Sequence, residues 1–198
     1  MNPLLIVFCK NLVEGQVKTR IENSIGKKKA LLVYKRLVER TKKAVLKVNS
    51  KKILYYSDYI EKKDNWFKYV NQKKIQKGEN LGERITDAFK NGFISGFFPI
   101  ILIGSDLWNI NSKEINFAFK ALEENDYVIG PACDGGYYLL GMRKKNFKLF
   151  KNKSWSTDKL LSETLKDLTN EKIFFLDKKT DIDTIEDLKK FKSLQRNI

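Results

Sequence analysis

Short apolar runs alternate along the chain with segments in which apolar side chains return every three or four positions. Residues 4–9 form a continuous apolar run, as expected for a strand covered on both faces. Between positions 27 and 48, Ala30, Tyr34, Leu37, Thr41, Ala44 and Val48 trace a single stripe that only Thr41 interrupts, which predicts a long amphipathic helix. Residues 52–57 read as a second strand. Ile85, Ala88, Phe89 and Phe93 mark a helix that Gly96 and Pro99 close. Residues 100–103 read as a third buried strand and run into Gly104-Ser105-Asp106. Further helices are predicted at 115–122, 160–168 and about 184–194, and further strands at 127–130, 137–142 and 172–176.

This alternation predicts an α/β fold: a single domain over residues 1–198, with a mainly parallel sheet flanked by helices on both faces. No repeat, low-complexity tract or linker interrupts it. Ligands of such sheets bind outside the carboxyl ends of the strands, so polar clusters directly after strand runs are where chemistry is expected.

Composition narrows that chemistry. The chain has 198 residues, enough for one real core, and no histidine. Ser-His-Asp and Cys-His catalysis, His-ligated zinc and an imidazole base are therefore excluded, which leaves carboxylates, Lys, Tyr and Cys as proton acceptors. Two cysteines, Cys9 and Cys133, make neither a disulfide framework nor a four-Cys zinc site and suggest a reducing compartment. The net charge of +15 raises the possibility of a nucleic-acid partner. Six of the 39 basic residues are arginine, and the 33 lysines are scattered from Lys10 to Lys192, which fits a solvated surface better than a base-reading face. No stretch approaches the ~20 apolar residues of a membrane span. The N-terminal apolar run lacks the basic flank and cleavage site of a leader, so a cytoplasmic protein is expected.

Four clusters follow strand runs. The first, CKNLVEGQVKTRI, crowds Lys10, Lys18 and Arg20 near Gly15, a set that could neutralise a diphosphate or form only a solvated basic loop; it is neither a Walker loop nor G-x-G-x-x-G. The second, GENLGERITDAF, brings Gly78, Gly82 and Arg84 to a helix start whose unpaired N–H groups suit an anion, or only an ordinary cap. In the third, ILIGSDLW, Asp106 sits where a side chain projects into the crevice, suited to a hard divalent cation that bridges phosphate oxygens, or to capping the helix that follows. The fourth pairs GPACDGGYYLLGM with TDIDTIEDL. Gly135 and Gly136 let backbone approach a ligand, Asp134 is a candidate general base, and Tyr137 and Tyr138 offer a flat face for a base or sugar. A plain hairpin turn is the simpler account of Asp134-Gly135-Gly136. Asp181 and Asp183 precede a helix, so one is expected to cap it and the other to be free for a metal.

Taken in order, VKTRI, NLGERITDAF, LIGSD, GPACDGGYYLLGM, WSTD and DIDTIEDL span residues 17–188. Together they resemble the glycosyltransferase-A-like family of radical-SAM/selenodomain-associated transferases, often described as arsenosugar-biosynthesis glycosyltransferases. The chain departs from the family pattern in its first loop, which lacks prolines, and in Leu107-Trp108 after the Ser-Asp pair. It also lacks the G-x-G-x-R loop of true nucleotidyltransferases.

The resemblance implies the Rossmann-like, GT-A-like fold of the nucleotide-diphospho-sugar transferase superfamily and a site for a nucleotide-sugar or nucleotide. It also implies a divalent cation, Mg²⁺ or Mn²⁺, on Asp106 with Asp183 as the second carboxylate, and phosphate contacts from Lys18 and Arg20. The activity expected is metal-dependent glycosyl transfer from a nucleotide-diphosphate sugar to a small-molecule acceptor. The alternative is a nucleotidyltransferase that couples an NTP to a phosphorylated small molecule.

Overall fold

The N-terminal apolar run becomes β1 (Leu4–Cys9), with all six residues buried, at the centre of the sheet. The structure is a computed structural model that describes residues 1–195. β1 pairs in parallel with β2 (Lys51–Tyr56) on one side and β4 (Ile100–Ile103) on the other, so that Leu4 lies opposite both Lys51 and Ile100. β3 (Gln72–Ile75) adds to the outer side of β2, also parallel. Beyond β4 come β6 (Tyr137–Met142), β5 (Tyr127–Pro131) and β7 (Ile173–Phe175). Among the described residues the order is β3-β2-β1-β4-β6-β5-β7.

Among the described strands only β6 runs against its neighbours. The five residues between β5 and β6 are too few for a parallel crossover, which needs a dozen or more, so the chain turns straight back. The sheet is thus mainly parallel with one reversed strand.

Helices cover both faces because the buried strands are apolar on both. On one side, α1 (Thr19–Ile25), α2 (Lys27–Leu46), α4 (Ser112–Ala121), α6 (Ile185–Lys189) and α7 (Lys192–Gln195) bury Ile21, Leu37, Ala118, Leu188 and Leu194 against Leu5, Val7 and Ile103. On the other, α3 (Leu81–Ile94), a 3-10 turn at Phe147–Phe150 and α5 (Leu160–Lys166) pack on Leu4, Ile6 and Leu102. Thr41, the polar break in the α2 stripe, is buried and donates to the Leu37 carbonyl one turn back (3.0 Å), which satisfies its hydroxyl inside the core.

Two elements lie where no regular structure is expected from periodicity. α1 occupies the basic loop after β1 and contributes one buried residue, Ile21, with no side-chain cap to announce it. β3, QKKI, is an edge strand with two lysines, a composition that discourages further pairing. The closing helix is split into α6 and α7. Neither Asp181 nor Asp183 caps α6, contrary to expectation. Thr184 is the cap, in a reciprocal capping box with Asp187.

Candidate active site

A cleft of about 560 Å³ opens along the carboxyl ends of the strands. A larger hollow, about 970 Å³, lies at the opposite edge of the sheet around Asn2, Lys51 and Pro99, but Glu123 is the only carboxylate among its lining residues. The carboxylates gather in the smaller cleft. Its wall includes Glu79, Asp106, Asp134, Asp181 and Asp183 against two cations, Lys10 and Arg84. A protein with a net charge of +15 therefore has an acidic pocket at the one edge where its fold binds ligands.

Chain geometry brings the acids together. Asp106 follows β4 after Gly104 and Ser105, and its carbonyl accepts from Ile182 N (3.0 Å), which draws the segment before α6 alongside. Asp183 is delivered beside Asp106 by that bond. Lys18 joins them: its ammonium is paired with Asp106 and lies 3.4 Å from Asp183 Oδ1. Arg20 donates from NH1 to Asp183 Oδ2 (2.9 Å). Lys18 and Arg20 thus engage the predicted metal-side carboxylates and are not part of the cleft wall. Burial pulls the Lys18 amine down, but Asp106 and Asp183 outweigh it and hold it above its ordinary value. Lys18 reaches this place from a left-handed backbone (φ 52°, ψ 42°), costly for a residue with a side chain, by roughly 1–3 kcal/mol.

Beneath Asp106 lies a buried polar layer. The Tyr34 hydroxyl accepts from Lys10 N (2.8 Å) and shares a 2.7 Å hydrogen bond with the Ser105 hydroxyl. Burial pushes the neighbouring Cys9 thiol up to about 11, against the opposing pull of its Tyr34 and Ser105 contacts. Asp181 stands at the cleft wall with its carboxyl pushed up to about 6, first by burial and then by the nearby charges of Asp134 and Asp106.

In the β5–β6 turn, Asp134 Oδ1 accepts from Gly136 N (2.9 Å), which folds the side chain back on its own turn. Asp134 and Gly136 line the cleft; Gly135 does not. A Cβ on Gly135 (φ +89°) would fall 2.3 Å from the Asp158 backbone, so this glycine lets the 151–160 segment lie against the turn. Gly82 likewise sits away from the cleft wall, where a Cβ would lie 2.5 Å from Trp155 Nε1 and 2.6 Å from the Phe150 carbonyl. Arg84 lines the cleft and donates from Nε to the Gly78 carbonyl (3.0 Å). The N-terminus of α3 already holds the Glu83 carboxylate, which accepts from Glu79 N and the Asn80 side chain, each at 2.9 Å. Tyr138 is no exposed platform: it is buried, and its hydroxyl reaches Glu114 (2.9 Å) and the Asp177 carbonyl (3.0 Å). Trp155 and Ser156 also line the cleft, a role their sequence position did not reveal.

Among the described residues, no group of three or more His, Cys, Asp or Glu side chains is arranged as a metal site. Asp106 and Asp183 nonetheless fit a hard cation. Both side chains are close to half exposed, and they already converge on one positive charge, that of Lys18. Two carboxylates are as many as Mg²⁺ ordinarily takes from protein when phosphates and water complete its shell.

The family described as "uncharacterized protein conserved in bacteria" (DUF2064) matches residues 41–157. The chain belongs to the DUF2064 family. The matched span of this DUF2064 protein includes Asp106 and Asp134 and stops short of Asp183. A comparison with curated proteins finds no match. Among solved structures, a proposed nucleotide-diphospho-sugar transferase from Desulfovibrio desulfuricans G20 is 26% identical (TM-score 0.89), over 99% of this chain and 89% of that one. CMP:2-keto-3-deoxy-manno-octonic acid synthetase, solved with CTP, is 10% identical (TM-score 0.59), over 98% of each chain. Rv0371c of Mycobacterium tuberculosis H37Rv, solved with manganese, is 10% identical (TM-score 0.55), over 96% of each. The DUF2064 chain has the fold that these proteins share.

Proposed function

We propose that the protein is a transferase that takes a sugar from a nucleotide-diphosphate donor with the help of a divalent cation held by Asp106 and Asp183. One observation carries this reading: two carboxylates converge on a single cation, Lys18, in an acidic cleft at the carboxyl edge of the sheet. A diphosphate entering a wall of five carboxylates and two cations needs added positive charge. A Mg²⁺ or Mn²⁺ ion between Asp106 and Asp183 supplies it when bound, and offsets the charge that builds on the leaving diphosphate. The solved relative with manganese supports that choice of ion.

The chain's own residues do the rest. Lys18 and Arg20 are held by the two carboxylates and lie off the cleft wall, so their phosphate role requires them to turn from those carboxylates to phosphate oxygens. Gly136 offers a backbone without a side chain and Arg84 a guanidinium on the cleft wall. Asp134 commits one oxygen to Gly136 N and keeps the other for an acceptor hydroxyl, the base that a chain without histidine can field. The motif resemblance supports a sugar-transferring enzyme of the radical-SAM-associated, arsenosugar type. The synthetase solved with CTP supports the second reading, nucleotidyl transfer from an NTP with release of pyrophosphate.

Thermal-shift measurements with UDP, GDP and CDP sugars, with NTPs and with a DNA oligonucleotide, each with and without Mn²⁺, test both. A nucleotide sugar that stabilises only with Mn²⁺ is the expected result, and an NTP in its place favours the second reading. Stabilisation by the oligonucleotide alone, lost in moderate salt, overturns both.

A further inference from the structure

The cleft has two unlike halves. Around Asp106 its wall is ionic, whereas along the face covered by α3 and α5 it is built from Phe8, Leu102, Leu160 and the indole of Trp155. Trp155 belongs to the 151–160 segment, which is braced at several points. Ser154 donates from its N and its hydroxyl to Glu163 (2.7 and 2.8 Å), Thr157 donates to the Ser154 carbonyl (2.7 Å), and Leu161 N donates to the Gly135 carbonyl (2.9 Å). Gly82 and Gly135 clear the space for it on either side. Ser156, next to Trp155 on the wall, is held at φ 62°, a strained conformation that persists only where the surroundings enforce it. The braced segment therefore holds Trp155 at the cleft wall.

Charge decides what that surface can receive. Asp134 and Asp181 stand on the cleft wall, and no lysine of the 151–160 segment joins them there. Lys153 is instead held by Asp167 (2.7 Å). Arg84 leaves α3 two residues after Gly82, which on a helix is about 200° round from the face that meets Trp155. An anionic group placed against Trp155 would meet the carboxylates of Asp134 and Asp181, while Arg84, the cation that α3 brings to the wall, is drawn toward the Gly78 carbonyl (3.0 Å). A ring with an apolar face and hydroxyl groups suits the site, since its C–H face lies on the indole while hydroxyls donate to carboxylate oxygens.

We infer that Trp155 and its segment form a subsite for an uncharged, hydroxyl-bearing acceptor such as a sugar or cyclitol ring, with Asp134 as its hydroxyl contact. This rests on the transferase reading and sharpens it, because the carboxylates on this half of the cleft disfavour the phosphorylated acceptor of a nucleotidyltransferase.

Saturation-transfer NMR and tryptophan fluorescence with methyl glucosides, myo-inositol and glucose 6-phosphate test the subsite, with UDP, CDP and GDP titrated separately in the presence of Mn²⁺. A neutral probe is expected to bind about tenfold tighter than glucose 6-phosphate. Trp155→Ala should weaken it by about tenfold, Trp155→Phe should retain most of it, and both variants should keep the wild-type nucleotide affinity. The inference is overturned if no neutral probe binds, if glucose 6-phosphate binds as well as the neutral ring, or if Trp155→Ala weakens the nucleotide instead. Neutral-probe binding that depends on Trp155, with no nucleotide bound under any condition, would sink the transferase reading and leave the subsite standing.

Discussion

The ammonium of Lys18 is paired with the carboxylate of Asp106 at the cleft edge, with only 4% of the lysine side chain exposed. It also lies 3.4 Å from Asp183, so the position that a divalent cation would share between two carboxylates is answered by a charge from the chain itself. On the proposed reading, such a lysine stabilises the carboxylate pair and would compete with a metal for it.

Lys18→Met should therefore raise the affinity for free Mn²⁺ in the absence of nucleotide, by about tenfold or 1.4 kcal/mol, while lowering affinity for a diphosphate. Titration of Mn²⁺ followed by electron paramagnetic resonance reads the first, and calorimetry with a nucleoside diphosphate the second. Unchanged or weaker Mn²⁺ binding in the variant would remove Lys18 from the role of resident counter-ion.

Asp181 gives a pH dependence of defined sign. Its carboxyl titrates at about 6 in the folded chain, against an ordinary value of 3.8, mainly because it is buried. Between those values the folded state keeps a proton that the unfolded state has released, so stability from this group falls as pH rises toward and past 6. With a chelator present, Asp181→Asn should melt higher than wild type at pH 8, and the two should converge below about pH 4, with about 2–4 °C in Tm for each kcal/mol recovered. A variant that melts lower than wild type at pH 8 would contradict this placement.

How much of this could be read before the fold was known depends on the kind of signal each residue leaves. β1 and β4 are continuous apolar runs, and burial on both faces permits nothing else, so both strands and the position of Asp106 after β4 were legible. The reversal of β6 was also present, in the shortness of the turn that holds Asp134. Lys18 was legible as a basic residue near the site but not as the partner of Asp106, because its direction depends on a left-handed backbone that no cap or glycine announces. α1 and β3 escaped for a related reason: one buries a single side chain and the other is a lysine-bearing edge, so neither has the periodicity on which recognition depends. Trp155 was visible only as part of a motif. Its place at the cleft depends on long-range packing against Gly82.

The two cysteines should differ sharply in reactivity. Cys9 is buried, with its thiol pushed up to about 11, so the thiolate fraction at pH 8 is on the order of one in a thousand. Cys133 is exposed on the turn beside Asp134. Ellman's reagent should titrate one thiol promptly in the native protein and the second only on unfolding. Two prompt thiols would show that the layer beneath Asp106 is open to solvent.

Three glycines near the cleft carry graded predictions that test how the 151–160 segment is seated. At Gly135 an alanine meets both a left-handed backbone and the Asp158 main chain at 2.3 Å, neither of which can yield, and a loss of about 2–5 kcal/mol is expected. At Gly82 the backbone is helical, so only the contacts count: Phe150 O at 2.6 Å is main chain, whereas Trp155 Nε1 at 2.5 Å belongs to a side chain that can swing away. Gly82→Ala should cost about 1–3 kcal/mol and shift the Trp155 fluorescence as the indole moves. Gly136 has no such neighbour; its nearest contact is Asp134 Oδ1 at 3.3 Å, and its backbone is not left-handed, so Gly136→Ala should stay within about 1 kcal/mol of wild type. Urea unfolding of the three variants gives the comparison, and equal costs at all three positions would mean that the segment bearing Trp155 is not packed on the turn and on α3 as described.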